Sequence, residues 1–493
     1  MNLEKEFLEA TIERLHEAMI TGRLTCEALV RMYLDRVERY DQQGPKINAV
    51  IQVNPLVLKQ AKALDAAFKK DGLTGPLHGI PVLLKDNVDT SFMPTTAGCK
   101  ALLGVTPDED GWIVKKLQAA GAVILAKMNL HEFAVWGETV SSVLGQTLNP
   151  YDLTRTPGGS SGGTGAGIAA DFGVIGIGTD TVNSVRSPAS ACCLVGFRPT
   201  LGLVSRSGIV PYSLTQDTAG PMTRTVEDAV KTLDILAGYD PLDPLTALSR
   251  GNSPVEASYT AFLKSDGLQG KTIGVLRSFF GSDEVHKPVN RVMTEALKVL
   301  EAKGAHLVEL DVTLDSGRLI SETSVHLYDL KRDLGSYLER LGGKSPYHSL
   351  EALLESDLYD PGIEENLKTA VTLSTESEDY RRRMDLRRQL QDQVLALMAQ
   401  HDLDLIVFPH QKCLVVPVGG SQVDRNGVLG AVTGFPSVVV PAGFSEPTDT
   451  APIGVPVGME LFARPWCEPV LIEAAYGFEQ ATRVRRPPVL EKK

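Results

Sequence analysis

Residues 155–200 read RTPGGSSGGTGAGIAADFGVIGIGTDTVNSVRSPASACCLVGFRPT, and the way this stretch divides decides the fold. A turn of small residues, Gly158 to Gly163, leads into a helix-compatible run. An apolar strand follows, and then a second polar turn that holds Ser184. Two turns on adjoining elements can bring two hydroxyls together. Glycines at this density let the backbone take positive φ and let a ligand approach the main chain closely, an arrangement typical of functional loops. The stretch therefore points to nucleophilic chemistry on Ser160 and Ser184.

Working outward, residues 80–84 form an apolar run that reads as a buried strand and ends on Lys85 and Asp86. A lysine directly after such a run is the second unusual feature. Upstream, residues 3–40 read as two helices parted at Thr21 and Gly22, with Thr25 as an N-cap, and residues 55–70 as an amphipathic helix. Residues 112–120 read as a helix and 122–129 as a strand. Downstream, 225–238 is a capped helix ending on glycine. A strand at 271–277, a helix at 288–303 and a strand at 305–312 make a unit suited to a parallel sheet. Residues 320–400 are helical and highly charged, as expected of a cover over one end of a sheet. Strands return at 404–409, 436–443 and 455–463, and a helix from Glu468 closes the chain.

Strands at both ends imply one large mixed, twisted sheet covered by helices. The expectation is an α/β fold in a single domain, 1–493. Residues 241–400 form a mostly helical region within it that shapes the substrate pocket.

Composition narrows the function classes. The 493 residues carry 49 Lys and Arg against 61 Asp and Glu, a formal charge of -12, which disfavours nucleic acid as a partner. No eighteen-residue apolar run occurs and the N-terminus lacks a signal-peptide core, so neither a membrane span nor export is expected. The six cysteines, Cys192 and Cys193 among them, show no CxxC pair, and the nine histidines lack metal-ligand spacing. Free thiols in a cytoplasmic protein, with no metal and no organic cofactor, are the expectation. Neither GK[ST] nor GxGxxG follows the glycines, which argues against a nucleotide.

Residues 158–162 match GxSxG with Ser160 at the centre, and a Ser-His-Asp hydrolase would then draw on His401 or His410. A better reading joins Lys85, Ser160 and Ser184. PGGSSGG (157–163), GTDTVNSVRSPAS (178–190) and GIPVLLKDNVD (79–89) together resemble the amidase signature hydrolases. The resemblance extends over most of residues 12–240 and over 404–488, and is thin over 241–400.

That resemblance implies that Ser184 is the nucleophile, Ser160 the intermediate serine reached through a cis Gly159-Ser160 peptide bond, and Lys85 the terminal base. The backbone NH groups of Thr181, Val182, Asn183 and Ser184 would form the oxyanion hole. Ser161, Asp180 and Arg186 read as supports of the loop, the last two through hydrogen bonds or an ion pair. An ordinary lysine is neutral only about once in 2,500 at pH 7, so Lys85 must be buried to serve as a base. The family usually carries glycines where this chain has Val182 and Asn183. Both keep their NH, and their added bulk would narrow the acyl site or position an amide side chain on the substrate.

The reaction so implied is acyl transfer to water from a small amide, ester or carbamate, in a monomer or homodimer. The alternatives are a tRNA-linked amidotransferase subunit or a catalytically impaired binding scaffold.

Overall fold

The computed structural model describes residues 3–253 and 258–491. Its centre is a sheet of eleven strands. In chain order the strands are β1 (Val50–Val53), β2 (Pro81–Lys85), β3 (Val123–Met128), β4 (Val140–Ser141), β5 (Gly145–Gln146), β6 (Ile175–Asp180), β7 (Val195–Arg198), β8 (Thr218–Thr223), β9 (Thr272–Val275), β10 (His306–Glu309), β11 (Leu405–Pro409), β12 (Ser437–Phe444) and β13 (Pro456–Phe462). The order across the sheet is β1-β3-β2-β6-β8-β7-β12-β13-β11-β9-β10, and β4 and β5 pair separately.

Strand direction follows from what covers each face. β2, β3 and β6 are buried at every position, and β2 runs parallel to both of its neighbours. Continuous apolar runs suit parallel strands packed by helices on both faces. β6, β8, β7, β12, β13 and β11 then pair antiparallel in turn, and β11, β9 and β10 end the sheet in parallel. The sheet is mixed, as expected.

Several local expectations are adjusted. Residues 3–36 hold three helices, Leu3–Phe7, Ile12–Ile20 and Cys26–Arg36, before a wider turn at Val37–Gln42. Thr11 and Thr25 cap the second and third through their hydroxyls. β9 and β10 are shorter than the sequence suggests. β8, TAGPMT, escapes a propensity reading because Gly and Pro are poor strand formers. Tertiary packing makes it a strand: a Cβ at Gly220 would lie 1.9 Å from the Phe197 carbonyl oxygen, so only glycine lets β7 and β8 close.

Residues 316–400 form five helices, of which His326–Arg340 and Glu378–Gln400 are the longest. Leu330, Leu334 and Leu367 bury against Leu102, Phe133 and Tyr212, which lie on loops beyond the carboxyl ends of β2 and β3 and near β8. Each such leucine contributes about 1.5–3 kcal/mol when fully buried. The helical region is thereby fixed over the end of the sheet where Lys85 emerges. Among the described residues, no helix is long and apolar enough to cross a membrane.

Candidate active site

Lys85 is the last residue of β2 and Asp180 the last of β6, and the two strands lie side by side with Leu84 opposite Ile177. The carboxyl ends of adjacent parallel strands are where an open α/β sheet leaves room for a ligand. Ser160 stands in the turn before the helix Gly162–Ala169, and Ser184 in the turn between β6 and the helix Arg186–Ala191. The glycines have specific work here. Gly158 has φ of 71°, and a Cβ at Gly163 would come within 2.3 Å of the Asn129 carbonyl oxygen. The helix can press onto the end of β3 only without side chains. The Gly159-Ser160 peptide bond is cis.

Lys85 is sealed from solvent, with its Nζ 2.7 Å from Ser160 Oγ and 2.8 Å from Thr179 Oγ1. Asn87 Nδ2 donates to the same Thr179 hydroxyl at 3.0 Å. Burial drives the Lys85 amine from its ordinary 10.5 down to about 7, against the raising pull of Asp217 and Asp180. Neither carboxylate bonds to it. Asp217 accepts from Thr181 Oγ1 at 2.6 Å and from the Tyr212 and Ser213 NH groups at 2.9 Å. Burial lifts its pKa to about 6.

Asp180 lies at the centre of a dry ion network. Arg186 reaches it at 2.9 and 3.1 Å, Arg198 at 2.7 Å, and the Val185 NH at 3.0 Å. Burial opposes its charge, yet Arg186 and Arg198 together hold its carboxyl well below the usual carboxylate range. Arg186 also pairs with Glu460 and donates to the Val182 carbonyl at 2.7 Å. This network ties both ends of the Thr181–Ser184 turn to the sheet. Removing one partner of a buried pair typically costs about 3–5 kcal/mol.

The turn itself leaves its donors free. Among the described residues, the NH groups of Thr181, Val182, Asn183 and Ser184 donate to no other protein group. Four consecutive NH groups without a protein acceptor, beside a serine, leave donors available to a ligand. Neither Val182 nor Asn183 takes positive φ. The Ser161 NH donates to the Ser184 carbonyl at 3.2 Å, joining the two serine turns, and Ser161 Oγ donates to the Thr179 carbonyl at 3.2 Å. No hydrogen bond joins the Ser160 and Ser184 hydroxyls themselves. Thr181 to Ser184 line a cavity of about 230 Å³ whose other walls include Trp136, Tyr212, His326 and Arg425.

The Ser-His-Asp reading fails on placement. His410 is fully buried with Nδ1 2.7 Å from Glu460 Oε2, and His401 ends the helix Glu378–Gln400. Neither ring bonds to Ser160 or Ser184, because Ser160 already faces Lys85. The acidic side chains after Lys85 are engaged elsewhere. Asp86 pairs with Lys127 at 3.2 Å, and Asp89 accepts from Tyr337 OH at 2.7 Å. The carboxylates felt by Lys85 come instead from residues 180 and 217. Cys192 and Cys193 are buried, and all six thiols are free. No group of three His, Cys, Asp or Glu side chains able to hold a metal occurs among the described residues.

Sequence reasoning passed over Thr179, Gln216, Asp217, His326, Arg425 and Glu460. Glu460 had a readable signal, a carboxylate inside the apolar strand PVGMELF. The others needed the fold.

The family model described as Amidase matches residues 28–472. The chain belongs to the amidase family. It is an amide-cleaving hydrolase. A probable amidase of Arabidopsis thaliana is 35% identical over 97% of this chain and 91% of its own length. A glutamyl-tRNA(Gln) amidotransferase subunit of Alkaliphilus metalliredigens is 32% identical over 96% of both chains. Among solved structures, the native peptide amidase of Stenotrophomonas maltophilia superposes with a TM-score of 0.89 at 37% identity, covering 99% of each chain. The corresponding glutamyl-tRNA(Gln) amidotransferase chain of Thermotoga maritima does so with a TM-score of 0.75 at 26% identity, again over 99% of each.

Proposed function

We propose that this amidase cleaves small-molecule amides through an acyl-enzyme on Ser184, with Ser160 and Lys85 as its proton relay. The observation that carries the reading is Lys85 Nζ lying 2.7 Å from Ser160 Oγ in a dry site with no carboxylate partner. An amine with a pKa near 7 is half neutral at pH 7, close to the optimum for a general base.

As Ser184 Oγ attacks the carbonyl carbon, its proton passes to Ser160, whose own proton passes to Lys85. The link between the two hydroxyls closes when substrate fills the cavity, since such bonds are often open in the free enzyme. The oxyanion is taken up by the free NH groups of residues 181–184, each such donor being worth about 3 kcal/mol of barrier. When the C–N bond breaks, Ser160 protonates the leaving nitrogen and is refilled from Lys85. Water then attacks the acyl carbon, giving its proton to the same relay. Release of the acid returns a hydrogen to Ser184. Esters and carbamates can pass through the same intermediate.

Likeness to a peptide amidase favours a peptide-like amide as substrate. Labelling by a fluorophosphonate, located by peptide mass spectrometry, tests the reading. The adduct is expected on Ser184 and lost in Ser184→Ala; an adduct elsewhere, or activity that survives the substitution, overturns it. Full-length matches to amidotransferase subunits favour a second reading, an ammonia-releasing subunit, which co-purification of a second chain would support.

A further inference from the structure

The cavity beside Ser184 is buried at its floor, where Thr181, Asn183, Ser184 and Tyr212 lie, and open at its rim. Two large apolar side chains stand at that rim, Trp136 at 43% exposure and Val423 at 58%. Pockets that enclose a drug-sized molecule usually measure about 300–1,000 Å³. This one measures about 230 Å³, so a larger substrate must leave it past Trp136 and Val423.

Trp136 stands in the loop between β3 and β4, and the indole is held in place although it is exposed. Its Nε1 donates to Ser421 Oγ at 3.2 Å, and the Arg425 guanidinium covers one face with its central carbon 4.9 Å from the ring centroid. Arg425 is itself fixed, since Nε donates to the Gln422 carbonyl at 2.9 Å and Nη2 to Glu138 Oε1 at 3.2 Å. A Cβ at Gly137 would lie 2.9 Å from both of its terminal nitrogens, so glycine lets the guanidinium press against the chain just after the indole. The Gln422 NH donates to the same Glu138 oxygen at 2.7 Å, which ties the loop bearing Ser421 and Val423 to the residues beside Trp136. A large ring with two torsions, already held, loses little further freedom when a ligand packs on it.

We propose that Trp136 is a substrate-binding residue that packs against an aromatic ring of the substrate, so that amides carrying an aryl group are preferred to saturated counterparts of the same size. An indole face also attracts cations. Arg425 already supplies one at this ring and would repel a second, which leaves an aromatic or apolar group as the fitting partner. Between these two, ring-on-ring contact adds to the burial of area that either would bring. The inference rests on the reading that the amide is cleaved beside Ser184, and it deepens that reading by naming a substrate class.

The test measures kcat/KM on two matched pairs. 3-Phenylpropanamide against 3-cyclohexylpropanamide varies the acyl side, and N-benzylacetamide against N-(cyclohexylmethyl)acetamide varies the leaving side. In at least one pair the aromatic compound should be favoured about two- to tenfold, chiefly through KM, and the pair concerned tells which part of the substrate reaches the rim. Trp136→Leu should bring that ratio close to one, whereas Trp136→Phe should keep most of it. A merely structural role for Trp136 would lower both members of a pair alike and leave the ratio in place. Binding is read separately in Ser184→Ala protein through tryptophan emission, Trp136 being one of three tryptophans with Trp112 and Trp466. The favoured aryl amide should change the emission saturably, and Trp136→Phe should abolish the change. Ratios near one in both pairs, a ratio that Trp136→Leu leaves unchanged, or an emission change that survives Trp136→Phe overturns the proposal. Failure of the fluorophosphonate to label Ser184 would instead defeat the acyl-enzyme reading, while the ratios would still decide on Trp136.

Discussion

Lys85 ends β2 and Lys127 is next to last in the neighbouring parallel β3, and both are sealed from solvent, yet their surroundings are opposite in kind. Lys127 lies opposite Leu84, so strand alternation sends the two amines to opposite faces of the sheet. On its face Lys127 meets Asp86 Oδ1 at 3.2 Å, the Val88 carbonyl at 2.7 Å and Thr95 Oγ1 at 3.1 Å. On the other face Lys85 meets two hydroxyls, while the nearby carboxylates of Asp180 and Asp217 are held by other donors. Burial is common to both. What separates a structural cation from a candidate base is whether a carboxylate is supplied or withheld.

Exchanging either lysine for an apolar residue of similar length should expose that contrast. Lys85→Met is expected to lower kcat/KM at least about a thousandfold, as loss of a member of a coupled catalytic set does. Its urea midpoint should be no lower than that of the native protein, since a buried amine without an anionic partner contributes little stability. Lys127→Met should do the reverse. It strands Asp86 in a dry site and should cost about 3–5 kcal/mol in urea unfolding. If instead Lys85→Met is the variant that unfolds, the contrast between the two faces is wrong.

pH sharpens the comparison further. The Lys85 pKa is about 7 when folded against an ordinary 10.5, so between these values the unfolded chain binds the additional proton. Stability relative to Lys85→Met should therefore be lowest and flat below pH 7, and should rise as pH climbs toward 10.5. Over the same range kcat/KM should rise through pH about 7 as the amine loses its proton. A stability difference that stays flat from pH 7 to 10 would mean that Lys85 remains charged. The smallest expected effect belongs to Asp217→Asn. It removes the strongest charge favouring the protonated amine, and should move the acid limb of the pH–rate profile by less than about one pH unit, toward lower pH.

Much of the site was legible because its parts are local. A glycine-rich turn before a helix, a polar turn after an apolar strand, and a lysine closing an apolar run are each written in fewer than ten consecutive residues. Their mutual approach follows from two parallel strands ending together. A structural link between Asp180 and Arg186 was readable for the same reason, the two being six residues apart, and the structure makes it an ion pair. β8 was not, because its strand character comes from the backbone contact that Gly220 permits. Nor was the helical region's share of the cavity: residues 315–326 reach the turn at 181–184 only through the fold.

The amino-acid sequence by itself determined the family, the three polar side chains of the proposed relay and the turns that carry two of them, since these depend on short-range geometry and residue type. Only the tertiary structure decided which buried charges have partners and which NH groups stay free. Those properties depend on desolvation and on donors and acceptors brought from tens to hundreds of residues away, and no local pattern encodes them.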